Sequence, residues 1–102
     1  MGYRSDVGFV VPESAPHFEK LDEDSNCFDE IRSQDGFRLY VVESIKWYED
    51  DNLVQAVEQY IRENEDECLF VRIGESQEDI QVEGHLWENP FELGFVRRLT
   101  YS

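Results

Sequence analysis

In LDEDSNCFDEIR, residues 21–32, Asp22, Asp24 and Asn26 stand at alternate positions, the oxygen-donor spacing of a calcium loop. An EF-hand loop beginning at Asp22 also needs a glycine at its sixth position, for the sharp turn, and a bidentate glutamate at its twelfth. The chain places Cys27 and Ser33 there, and sets Asp29 at the normally apolar eighth position. Both the turn and the strongest ligand are missing. The stretch reads as a carboxylate cluster that attracts cations loosely, and no metal or other cofactor is expected.

The remaining reactive side chains are sparse. Cys27, Cys68, His17 and His85 make up a Cys2His2 set in composition, but none has the close pair spacing of a zinc site. The cysteines stand 41 positions apart with no C-x-x-C pair, as expected of reduced thiols in a cytosolic chain. Glu83 and His85 share a strand face at i and i+2, which makes an acid–base pair only if a cleft holds them. The chain contains no G-x-S-x-G, P-loop or G-x-G-x-x-G motif. The expectation is a protein that is not an enzyme.

Charge is the dominant property. The 102 residues carry 24 acids and 9 bases, a net charge of −15. This disfavours direct binding of nucleic acid or an anionic membrane, and favours a basic partner surface. It also exceeds the magnitude of ~2 to 8 that solubility calls for in a small domain. Two acidic patches stand out: Asp22, Glu23, Asp24, Asp29 and Glu30, and then Glu63, Glu65, Asp66 and Glu67. Aromatics make up 14% of the chain. Trp87 and Phe91, beside Glu88 and Glu92, are candidate interface anchors, whereas Trp47 reads as core.

These groups must be positioned by a single domain spanning 1–102. Residues 3–11 read as a strand that Pro12 ends. Residues 12–36, with eight acids, read as an acidic connection, irregular or partly helical, with short helical turns at Phe18–Leu21 and Phe28–Ile31. Asp35-Gly36 is a turn signal into GFRLYVVESIKWY, the best strand. Continuous alternation there would put Glu43 on the face of Phe37, Leu39, Val41, Ile45 and Trp47, and a bulge at Glu43-Ser44 removes the conflict. EDDNLVQAVEQYIREN is the best helix, capped by Asp51 or Asn52, with Leu53, Val54, Val57, Tyr60 and Ile61 as its apolar stripe and Glu58–Arg62 on the other side. CLFVRIG, IQVEGHLW and FVRRLTYS follow as strands, with Val82 and Leu86 expected in the core. The predicted fold is α+β: a mixed, mostly antiparallel sheet of about five strands with one main helix on one face, and a parallel crossover from the strand before the helix to the strand after it.

MGYRSDV, SIKWY, VRIGE and WENPF, in that order, resemble a family of small proteins encoded by tailed bacteriophages and prophages. The resemblance covers residues 1–11 and about 40–98 and departs at 12–36, where family members have room for a longer helical region. It implies phage origin and a bacterial host cytoplasm, and it supplies no catalytic residues. Two readings of function compete, with a small enzyme of unknown reaction as the third. One is an acidic protein that binds a basic surface of a bacterial host protein, in its sharper form a nucleic-acid mimic that inhibits a defence system. The other is a structural or assembly accessory that forms homo-oligomers through an open sheet edge.

Overall fold

The computed structural model describes residues 4–18, 28–48, 51–76 and 79–86, together with the backbone of 94–95 and 99–100. Strands β1 (Ser5–Pro12), β2 (Glu30–Gln34), β3 (Phe37–Ile45), β4 (Leu69–Gly74) and β5 (Ile80–Gly84) form one sheet in the order β2-β3-β1-β4-β5. Every neighbouring pair is antiparallel. β1 takes the centre because Val7 to Val11 is apolar or glycine throughout, and such a run needs cover on both faces; all five residues are buried. Helix α1 (Asn52–Glu63) joins β3 to β4. Both strands run antiparallel to β1, so they are parallel to each other, but β1 lies between them. The expected crossover therefore holds in direction but not as a pair; it is a split β-α-β unit.

One face of the sheet presents Val7, Phe9, Val11, Tyr40, Val42 and Phe70 to Leu53, Val54, Val57 and Ile61 of α1. Phe9 is its hub, with Tyr40 stacked at 4.8 Å and Phe18 edge-on at 5.7 Å. The other face gathers Val10, Leu39, Val41, Leu69, Val71 and Ile73, all buried. A separate hairpin, β6 (Gly94–Phe95) and β7 (Leu99–Thr100), brings β7 against β1. Both edges of β1 are already paired, so β7 meets it across a face.

The bulge in β3 is present. The register runs from Val7↔Val42 to Ser5↔Ile45, leaving Glu43 and Ser44 of β3 opposite Asp6 alone, and Ser44 takes a φ of 55°. The extra residue switches faces. Phe37, Leu39 and Val41 serve the second layer, whereas Ile45 and Trp47 pack under the helix and Glu43 is exposed.

Three expectations need correction. Residues 30–34 form β2, so Ile31 lies in a strand and the irregular connection ends before it. Its polar sequence, EIRSQ, suits an edge that buries little. The C-terminal strand pairs in the small hairpin, and it is β2 that supplies the fifth strand of the sheet. Val82 is 37% exposed, because β5 is an edge.

Candidate functional site

The end of α1 builds an acidic corner. Asn64 leaves the helix with its N–H bonded to Ile61 C=O at 3.2 Å and its side chain donating to Tyr60 C=O at 2.9 Å. A single 3-10 turn, Glu65–Glu67, follows. The end of β5 then fastens this turn: His85 N–H donates to Glu65 C=O at 2.8 Å and Leu86 N–H to Cys68 C=O at 3.1 Å. Gly84 makes the approach possible. Its φ is +90°, and a Cβ there would lie 2.2 Å from Cys68 O.

On this fixed backbone Glu63, Glu65, Asp66 and Glu67 are all exposed. They line an open cleft of about 420 Å³ with Arg62 and Asn64. Their side-chain contacts with other described residues are few. Gln59 donates to Glu63 at 3.1 Å, and the His85 ring lies 3.2 Å from Asp66 and 3.9 Å from Glu65. Arg62 is turned toward Glu83, at 3.0 Å. Negative charge at the C-terminal end of a helix also opposes the helix dipole, at about 0.3–1 kcal/mol per group near a surface. The corner is thus rigid, negative and locally unfavourable.

Of the first predicted patch, only Asp29 and Glu30 are described, and both bond within the chain. Asp22, Glu23 and Asp24 lie outside the described residues, as do Trp87 and Phe91. Asp29 accepts from Glu43 N–H at 2.7 Å, and Asp6 from Ser44 N–H at 3.0 Å. Arg4 donates to Ser44 C=O at 2.7 Å. Together they clamp the bulge. Glu30 binds Arg32 beside it on β2, at 2.6 Å. The bulge borders a second open cleft, of about 360 Å³, with Arg4, Lys46 and Glu43 at its rim and Val42, Ile45, Leu53 and Val54 among its lining.

Glu58 is not on an outward face of α1. It is buried, it accepts from Gln81 Nε2 at 3.2 Å, and it lies 4.0 Å from Arg62. Arg62 binds Glu83, Gln81 also reaches Glu83 at 3.4 Å, and Arg72 joins Gln81, Asp79 and Ser5. This polar network seals the flank between α1 and β5. It also separates the Glu83–His85 acid–base pair considered above, since Glu83 faces Arg62 and His85 faces Asp66.

No family model, curated protein or solved structure matches the chain. Its chemistry is therefore read from these side chains alone. Cys68 is fully buried, and burial, with Glu67 adding to it, pushes its thiol up to about 12. It stays protonated at neutral pH and is no nucleophile there. Burial likewise raises Tyr60, with Cys68 and Glu67 contributing. Among the described residues no three His, Cys, Asp or Glu side chains gather around a point that could hold a metal, and no helix is long and apolar enough to cross a membrane. Trp47 lies in the core, and its indole N–H has no acceptor among the described residues.

Proposed function

We propose that this is a phage-encoded acidic protein that binds a basic surface of a bacterial host protein, and that the corner Glu63, Glu65, Asp66 and Glu67 is its contact. One observation carries the reading: four exposed acids within five positions sit on a backbone that hydrogen bonds from both sides hold still. Carboxylates on a held backbone lose less entropy on binding than those on a loose one, and a cluster opposed by the helix dipole gains when a cation arrives. In the sharper form the corner imitates the charge of a nucleic-acid backbone and occupies such a site in a defence complex. Duplex DNA presents one charge per ~1.7 Å of axis, and a run of adjacent acids approaches that density.

The test is capture from a bacterial lysate with the wild type and with a variant carrying Glu63→Gln, Glu65→Gln, Asp66→Asn and Glu67→Gln. A basic protein retained by the first and lost from the second supports the reading. Release of that protein by added duplex DNA supports mimicry, and equal retention by both baits contradicts the assignment of the corner.

A further inference from the structure

β5 ends the sheet, and among the described residues only β4 pairs with it. Gly74 N–H donates to Asp79 C=O at 2.8 Å, so these two residues form a hydrogen-bonded pair at the start of the β4–β5 ladder. Antiparallel ladders alternate bonded and non-bonded pairs. Arg72–Gln81 and Phe70–Glu83 are therefore bonded as well, and the N–H and C=O of Ile80 and Val82 point away from β4. Val82 also exposes its side chain, one of two large apolar residues among those described to do so. An edge with free backbone groups and an exposed β-branched residue is a template for another strand.

We propose that β5 pairs antiparallel with β5 of a second copy of this chain, about a two-fold axis at Val82. Charge favours this register over the two beside it. An axis at Glu83 sets Glu83 against itself, and an axis at Gln81 sets Glu83 against Asp79. An axis at Val82 sets Val82 against Val82, Ile80 against Gly84 and Gln81 against Glu83. No like charges then meet, and the outward groups of the two Val82 residues bond reciprocally. The opposite edge, β2, offers no exposed apolar side chain at its axis, since its one apolar residue, Ile31, is half-buried. The pairing is isologous and closes on itself, as a two-fold dimer must.

The inference does not depend on the acidic corner, and salt separates the two. Screening relieves repulsion between two chains of charge −15, so self-association strengthens as salt rises, whereas capture of a basic partner weakens. The experiment is sedimentation of the full chain over a range of protein and salt concentrations, with amide exchange at Val82 followed by NMR. The wild type is expected to be a dimer that tightens with salt and slows exchange of the outward-facing Val82 amide. Val82→Lys sets two ammonium groups at the axis while replacing an exposed side chain. It should give a folded monomer, with its thermal transition retained and that amide exchanging fast. Wild-type protein that sediments as a monomer throughout overturns the proposal. So does a dimer that survives Val82→Lys with the amide of residue 82 unprotected.

Discussion

The acids that clamp the β3 bulge and those at the end of α1 carry the same charge but have opposite surroundings. Asp29 and Asp6 each accept a backbone N–H from Glu43 or Ser44, and Asp51 accepts from Leu53 and Val54 at the start of the helix. Glu58 is buried in a network with Gln81 and Arg62. These carboxylates satisfy donors that would otherwise be orphaned, and so they build the fold. Glu65, Asp66 and Glu67 satisfy almost nothing and stand where the helix dipole disfavours them. Among the described residues the acids therefore fall into two populations: those bonded to the chain's own groups, and those left exposed with few contacts.

Substitutions can break or sharpen this contrast. The largest effect is expected at Gly84, which lets β5 reach the acidic corner. Gly84→Ala places a Cβ against Cys68 C=O at a positive φ, and should cost about 3 kcal/mol or more in chemical denaturation. Asp29→Ala leaves Glu43 N–H without its charged acceptor and should cost about 2 kcal/mol. Asp51→Ala removes the helix cap, at about 1 kcal/mol. Glu58→Ala should fall near this last value, because Gln81 loses its partner. If Asp29→Ala or Glu58→Ala proves neutral, the building class is drawn too widely.

Alkaline titration sharpens the boundary between the corner and the core beneath it. The folded thiol of Cys68 lies above its ordinary value of 9.0, so the stability it contributes is fully present below pH 9 and is lost as pH climbs from there through about 12. Cys68→Ala should flatten that part of the stability profile, leaving the smaller fall that comes from Tyr60. An unchanged profile would mean that Cys68 is less enclosed than its position implies. Smallest of all, Glu65→Gln, Asp66→Asn and Glu67→Gln should each shift stability by roughly 0.5 kcal/mol or less, toward greater stability.

The sequence showed some of this division and hid the rest. The bulge was legible because Glu43 conflicted with the apolar alternation of its strand, and such conflicts have few solutions. The helix and its apolar stripe are legible from local spacing, and its cap is narrowed to Asp51 or Asn52, of which the structure uses Asp51. β2 was not, because EIRSQ buries too little on an edge to imprint a period, although the turn after it, with Asp35 at φ 54° and Gly36 at φ 84°, was marked by Asp-Gly. Asp29 looked like part of an interaction patch because nothing local announces that Glu43 N–H, 14 positions away, will need an acceptor. Glu58 reads as solvent-facing in the sequence because its partners on β5 are polar and carry no hydrophobic signal. Gly84 did carry a signal, an isolated glycine within a strand pattern, and it marked a close backbone approach. The corner at Glu63 to Glu67 was visible as composition, whereas its rigidity came only from tertiary hydrogen bonds.

The most direct test of the division is the rate at which the chain associates with its captured basic partner, measured by stopped flow at low and high salt. Three proteins are compared: the wild type, the variant neutralised at Glu63, Glu65, Asp66 and Glu67, and Glu30→Gln as a control for an acid already paired with Arg32. The account predicts that the corner variant associates more slowly at low salt, that the difference closes as salt rises, and that Glu30→Gln matches the wild type. Equal rates for the corner variant and the wild type at low salt would contradict it.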